Sequence, residues 1–233
     1  YFTRENEWEK HFKYWQNEMR EWIAELGVDE SHIHEVEIPD GERAHYSKRT
    51  IDFEYDYPFG QKELYGLAYR ADFDLKNHEK SSGQNLKYKD PETGENFLPH
   101  VIEPTFGLDR SVLVALLEAY SEDGDRTVLK LPAKLAPYKV AVFPLLSNKP
   151  ELVKLAKSVY DDLRLHFMTA WDDRGNIGKR YYSQDEIGTP FCITVDFETL
   201  ENNTVTIRER DSMKQERVAI KELENYFRNK LNT

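Results

Sequence analysis

A glutamate and an arginine seven positions apart frame the stretch of this chain best suited to chemistry, Val101-Ile-Glu-Pro-Thr-Phe-Gly-Leu-Asp-Arg110. The stretch runs from a short extended segment into a helix. Glu103 therefore stands at a strand end, where a carboxylate can hold a small ammonium group. Gly107 has no side chain and lets backbone come close to a ligand at the strand-to-helix junction. Arg110, fixed near a helix start, offers a planar fork to phosphate oxygens. Spacing alone leaves a plainer alternative open, a surface ion pair at a helix N-terminus. Other chemistries lack their patterns: there is no HExxH, no paired CxxC and no Walker-type phosphate loop. His32 and His34 flank Ile33 without nearby partner ligands and read as exposed loop histidines. Spacing does not support a Ser-His-Asp nucleophile either.

The elements that must position these groups follow from periodicity. Trp8, Phe12, Trp15, Met19, Trp22 and Leu26 recur at intervals of four and three, one stripe of an amphipathic helix that Gly27 stops. Ile51, Phe53, Tyr55 and Tyr57 alternate with Asp52, Glu54 and Asp56, which predicts an antiparallel strand with one wet face. Pro58-Phe59-Gly60 makes a turn, and Glu63 to Arg70 resumes an extended run. Residues 77–96 are polar and suit a loop or ribbon. A helix is expected from Arg110 to Tyr120, with Val112, Leu113, Leu116, Leu117 and Tyr120 available for burial. Beyond Lys134, strands at 139–144, 167–171, 190–197 and 204–210 alternate with helices, the first opened by Pro150 and the last covering 219–231. That alternation implies an α/β layer with a mainly parallel sheet. The boundary between two units is expected between Lys130 and Pro137, giving domains 1–133 and 134–233.

Composition bounds the rest. Of 233 residues, 39% are hydrophobic, and 14 Tyr, 12 Phe and 4 Trp supply the buried area that disordered chains lack. The single cysteine, Cys192, excludes an intramolecular disulfide and fits a reducing compartment. No apolar run approaches a membrane span, so a cytoplasmic protein with no membrane partner is expected. The net charge of −11 is uneven: residues 1–133 hold 16 Lys+Arg against 28 Asp+Glu, and residues 134–233 hold 16 against 15. An acidic half is poorly suited to holding phosphates broadly, while a near-neutral half can do so through local patches. Ordinary variation between domains explains the asymmetry equally well.

Gly107-Leu108-Asp109-Arg110, followed by an apolar helix, resembles motif 3 of class II aminoacyl-tRNA synthetases, and Ile102-Glu103-Pro104-Thr105-Phe106-Gly107 is similar to the form that motif takes in glycyl-tRNA synthetases. Ala44-His45-Tyr46 resembles the opening of the family's central strands, and Glu63-Leu64-Tyr65-Gly66-Leu67-Ala68-Tyr69-Arg70-Ala71-Asp72-Phe73-Asp74-Leu75 resembles its Glu-Leu-x-Gly-Ile-Ala-x-Arg-x-Asp signature. Residues 175–191 and 204–215 are similar to the family's anticodon-binding domain. The resemblance covers essentially the whole chain.

It implies an α/β (α+β) fold, with the last part of an antiparallel-sheet catalytic core in 1–133 and a mixed-sheet anticodon-binding domain in 134–233. The implied function is ATP-dependent attachment of glycine to its tRNA, with ATP and Mg2+ as cofactors and a homodimer in the whole enzyme. The implied ATP-binding residues are Glu63, Leu64, Gly107, Leu108, Asp109 and Arg110, with Glu63 near the metal. Glu103, Thr105 and Arg70 would line the glycine site, and Arg110 and Arg70 would be catalytic. Thr105 stands where the family more often has Ser. An acidic residue and two arginines on adjacent strands can indeed organise a nucleotide triphosphate with Mg2+. Asp72 and Asp74 simply pairing with Arg70 is the competing account. For the anticodon, Lys179 and Arg180 suit phosphates, and Arg208, Arg210 and Asp211 suit unpaired bases. Motifs 1 and 2 do not occur, so the chain is expected to begin downstream of them and to be inactive alone. A non-catalytic nucleic-acid-binding accessory protein of the same fold is the alternative; retention of Glu63, Arg70, Glu103 and Arg110 favours the enzyme.

Overall fold

Period-two alternation decides the first sheet. Ile51, Phe53, Tyr55 and Tyr57 are all buried in the computed structural model, which describes residues 1–231. The chain divides into two compact units, Tyr1–Val114 and Ala115–Thr233. The first contains β1 (Phe2–Thr3), α1 (Trp8–Glu25), β2 (Ile33–Glu37), β3 (Arg49–Tyr57), β4 (Gly60–Ala71), α2 (Phe73–Ser82), β5 (Tyr88–Lys89), β6 (Asn96–Phe97), β7 (His100–Phe106) and the start of α3 (Leu108–Ala119). Five strands form an antiparallel sheet in the order β1-β7-β4-β3-β2. Its apolar face carries Ile51, Phe53, Tyr65, Leu67, Tyr69 and Ile102, and α1 packs on β4 and β7.

The buried line of α1 is Phe12, Gln16, Met19 and Ile23, one position round from the expected stripe at Trp15 and Trp22. The tryptophans sit on the flanks, where their rings find specific partners. Trp8 stacks on Tyr69 with centroids 4.1 Å apart, and Trp22 Nε1 donates to the Tyr65 hydroxyl at 3.1 Å. Gly27 ends the helix at φ +80°, a conformation other residues adopt at a cost. The polar stretch expected to be loop from residue 77 is helical to Ser82, because α2 continues until Gly83 caps it in the left-handed region; the β5–β6 ribbon follows. In α3 the inward residues are Ser111, Val114, Ala115 and Ala119, whereas Val112, Leu113 and Leu116, and Tyr120 just past the helix end, are exposed, against expectation. On that inward side Ser111 is hydrogen-bonded to buried Tyr65.

The second unit comprises β8 (Tyr120–Asp123), β9 (Arg126–Leu129), β10 (Val140–Pro144), α4 (Pro150–Leu163), β11 (Thr169–Trp171), α5 (Ile177–Glu186), β12 (Phe191–Val195), α6 (Phe197–Asn202), β13 (Thr204–Glu209), β14 (Gln215–Ala219) and α7 (Leu223–Leu231). Its sheet runs β11-β10-β12-β13-β14, parallel among the first three and antiparallel across the rest. The mixed sheet is as the resemblance implies, but the mainly parallel sheet expected from the alternation is half antiparallel, because β13 and β14 add as antiparallel neighbours, and β14 and α6 have no counterpart in the sequence pattern. Leu152, Ala156, Val159 and Leu163 of α4, with Leu223 and Phe227 of α7, close one face over Val140, Val142, Ile193 and Ile207. Pro150 opens α4 as expected. No helix among the described residues is long and apolar enough to cross a membrane.

Candidate functional site

The outer face of the first sheet follows from strand register. Ala68 pairs with Thr50 on one side and Glu103 on the other; Gly66 pairs with Asp52 and Thr105. Two small residues thus form the floor, with hydroxyls and carboxylates rising on both sides. On its other side β7 pairs with β1 at His100 and Val101, and Tyr1 exchanges backbone hydrogen bonds with Ile102. Bulges mark both ends of the floor, between Tyr69 and Ala71 and between Phe53 and Glu54. Such irregularities re-aim side chains. The first places Arg70, and the second places Glu63.

Arg70 is clamped. Its Nε and Nη2 donate to Asp74 at 2.7 and 2.8 Å, Nη1 donates to Glu103 at 2.6 Å, and the guanidinium lies 3.8 Å from the centroid of the Tyr46 ring. The Asp74 bonds, followed by those of Glu103, raise the Arg70 pKa above its ordinary value, and Arg70 in turn lowers that of Asp74. Of the two aspartates weighed as its partners, Asp74 takes Arg70, while Asp72 pairs with Lys76. One cation faces two anions. Arg70 engages only Oε2 of Glu103, so this half-exposed carboxylate keeps acceptor capacity for a further cationic group.

At the other end Arg110 reaches Glu63 with 3.3 Å between nitrogen and oxygen, both side chains about half exposed. A pair this open is worth roughly 1 kcal/mol or less, so an anion can displace Glu63 from the guanidinium. Gly107 lies close to the stem of the arginine: a Cβ there would meet Arg110 Cδ at 3.4 Å and its Cβ at 3.5 Å, ordinary van der Waals contact. Asp109 and Leu108 are exposed in the first turn of α3, whereas the Leu64 side chain is 1% exposed and belongs to the core. Thr105 is exposed opposite Gly66. Glu103 and Arg110 do not touch; they sit at opposite ends of the same polar face. A cavity of about 660 Å³ opens elsewhere, lined by Arg4, His11, Tyr88 and Asp90 among others, but Arg4 is already paired with Asp90 and Glu95.

Asp52, Asp74 and Tyr46 also belong to this face, although the motifs do not mark them. For Asp52 the signal was available, since period two puts it on the same face as the Glu103 side of the sheet. Burial, then Glu63 and Glu54, raise its pKa. A carboxyl so shifted favours the folded state in its neutral form, so the native state gains from it below the ordinary carboxylate range and loses that gain as pH rises. Asp52→Asn is therefore expected to raise the melting temperature by roughly a degree or more at pH 7 and to have almost no effect near pH 3. Thermal denaturation at the two pH values measures it; an equal shift at both contradicts the assignment.

In the second unit, three of the five residues expected at the anticodon are buried. Arg180 is 2% exposed and donates to the carbonyls of Pro144, Asp173, Arg174 and Gly175. Arg208 forms a fork on fully buried Asp185 at 2.9 and 3.0 Å. Arg210 binds the carbonyls of Gly188 and Leu131 and chelates Asp211. All three guanidiniums are engaged inside the unit, and they shape its surface rather than form it. Lys179 and half-exposed Asp211 remain accessible. The loops that Arg180 holds lie beyond the carboxyl ends of β10 and β11, the edge of a parallel sheet where ligands bind. Lys149, Arg174 and Lys179 are exposed at that edge, with Phe197 just beyond β12. Asn176 caps α5 by accepting from the Lys179 N–H.

Residues 139–230 match the family model described as anticodon binding domain. Over 99% of its length the chain is also 47% identical to a glycine–tRNA ligase of Streptomyces coelicolor, covering 53% of that protein. Glycine–tRNA ligases of Corynebacterium efficiens and Geobacillus thermodenitrificans are 46% and 45% identical over 99% of the chain, which covers 52% and 50% of them. The chain thus spans about half the length of the curated relatives it matches. The anticodon binding domain begins one residue before β10 and ends within α7, so it contains the whole mixed sheet.

Proposed function

We propose that this chain is the C-terminal part of a glycine–tRNA ligase, residues 1–133 closing the catalytic core and 134–233 reading the anticodon. The observation that carries the proposal is the arrangement of Arg70–Glu103 and Arg110–Glu63 at the two ends of one polar sheet face floored by Gly66 and Ala68. Similarity to glycine–tRNA ligases over 99% of the chain supports it. Glu103 accepts the glycine ammonium, Arg70 lies beside the aminoacyl group, and the Thr105 hydroxyl lines the floor. Arg110 leaves Glu63 for phosphate oxygens of ATP and stabilises the charge that develops there as glycyl-adenylate forms. Exposed Asp109 and Leu108 border the nucleotide, as does the backbone at Leu64 and Gly107.

Among the described residues no group of three or more His, Cys, Asp and Glu can hold a metal unaided. Mg2+ bound to a nucleotide needs no such group, since one or two carboxylates complete a shell of phosphate oxygens and waters. Glu63, half exposed, fits that part. When bound, the ion neutralises phosphate charge.

The tRNA partner is held by the second unit, with Lys179 and the cationic edge near it meeting phosphates. Lys179→Ala is expected to weaken tRNA binding about threefold to tenfold and to flatten its salt dependence by about one unit of log slope; filter binding across a salt series measures both. The enzyme is proposed to be a cytoplasmic homodimer. Glycine-dependent ATP–pyrophosphate exchange on the polypeptide extended over the relatives' full length tests the activity. Exchange with glycine and not alanine is expected. Tight tRNA binding without any exchange would instead identify a non-catalytic accessory protein.

A further inference from the structure

Three hydroxyl and indole groups connect α1 to the turn that carries Arg110. Trp22 Nε1 donates to the Tyr65 hydroxyl oxygen at 3.1 Å. Tyr65 Oη stands 2.5 Å from Ser111 Oγ, and Ser111 Oγ donates to the Gly107 carbonyl at 2.8 Å. The direction of the chain is fixed. Indole N–H only donates. Ser111 has one hydroxyl proton, which goes to Gly107, so the Tyr65 proton must go to Ser111. Each group has one donor role, and the chain ends on the Gly107 carbonyl, which also receives the Ser111 backbone N–H at 2.8 Å.

The position of this chain matters more than its energy. Tyr65 is two residues from Glu63 on β4, and Ser111 directly follows Arg110 on α3. The Tyr65–Ser111 bond therefore ties together the two elements that present the Glu63–Arg110 pair. Tyr65 and Ser111 are 1% and 7% exposed, so water does not substitute readily for either hydroxyl. The aliphatic stem of Arg110 rests against Gly107, whose carbonyl the chain holds. Phe106, the strand partner of Tyr65, packs edge-on against both Tyr65 and Trp22 and limits lateral movement of the turn.

We infer that Tyr65 and Ser111 are positioning residues that set where the Arg110 guanidinium stands over the site. The assignment rests on the reading of that face as a nucleotide site. Phosphate stabilisation depends on donor placement within fractions of an ångström, so loosening the strut acts on ATP more than on glycine.

The test uses Tyr65→Phe, Ser111→Ala and Ser111→Thr in the full-length polypeptide. Tyr65→Phe and Ser111→Ala are expected to raise KM for ATP in the exchange assay about fivefold to tenfold while KM for glycine changes less than about twofold. Ser111→Thr, which keeps the hydroxyl, restores at least half the lost kcat/KM. In parallel, the Arg110 Nε–H resonance in 1H–15N spectra is expected to move in Tyr65→Phe. Equal KM changes for both substrates, or no rescue by threonine, would show a merely structural role. If the unsubstituted protein lacks exchange, the functional reading fails while the strut is still judged by that resonance, whose invariance in Tyr65→Phe refutes it.

Discussion

Asp185→Ala is expected to destabilise the second unit by about 3–5 kcal/mol, the usual cost of removing one partner from a buried ion network. Asp185 is fully buried and accepts from Arg208 through both oxygens, at 2.9 and 3.0 Å, and from Arg126 at 3.1 Å. Arg126 and Arg208 are themselves 5% and 4% exposed. Without the carboxylate, buried Arg208 loses both of these bonds, and Arg126 is left with Asp123 and the Arg210 carbonyl. A loss of that size lowers the melting temperature of a unit this large by roughly 10–20 °C. Because the penalty comes from stranded cations rather than from the pair itself, Asp185→Leu combined with Arg208→Met is expected to recover part of it. Circular dichroism melting of the 233-residue chain measures both variants. A fall of less than about 2 °C for Asp185→Ala would mean that the network is not what holds β9, α5 and β13 together.

The second large effect concerns chemistry. Arg110→Ala is expected to lower kcat/KM for glycine-dependent ATP–pyrophosphate exchange by about 10²–10³-fold, the scale on which a preorganised donor to developing charge acts. Stability should hardly change, since the Arg110–Glu63 pair is half exposed on both sides. Arg110→Lys keeps the charge but not the planar fork and is expected to restore only part of the rate. The reverse pattern, a large loss of stability with activity intact, would make Arg110 a structural residue and leave the phosphates without their principal cation.

Much of this was legible in the residues. Alternation from Ile51 to Tyr57 gave the strand and its buried face, and the strand-to-helix passage at Gly107 placed Arg110 near a helix start. Pro150 marked the opening of α4, and the apolar residues after it marked its buried side. The side chains that burial captures were harder to read. Arg180, Arg208 and Arg210 have the composition of a phosphate-binding surface, yet their partners are backbone carbonyls and an aspartate far away in sequence, such as Pro144 for Arg180 and Leu131 for Arg210. Local pattern contains nothing about such long-range acceptors. The tryptophans of α1 illustrate a related limit. An indole satisfies the stripe by size, but its N–H seeks a polar partner, so Trp22 settled on the flank beside Tyr65 while Ile23 took the core. Bulges in β4 were equally hidden, because they depend on pairing with β3 and β7; they nonetheless decide where Glu63 and Arg70 point.

The 233-residue chain titrated with the sulfamoyl analogue of glycyl-adenylate, followed by 1H–15N chemical-shift mapping, tests the central claim most directly. Shifts are expected to concentrate on Glu63, Gly66, Ala68 and Arg70 of β4, on Glu103 and Thr105 of β7, and on Gly107 to Arg110, and to disappear in Glu103→Gln combined with Arg110→Ala. Saturable shifts confined to other surfaces, or unchanged in the double variant, would contradict the assignment of this sheet face as the nucleotide–amino acid site.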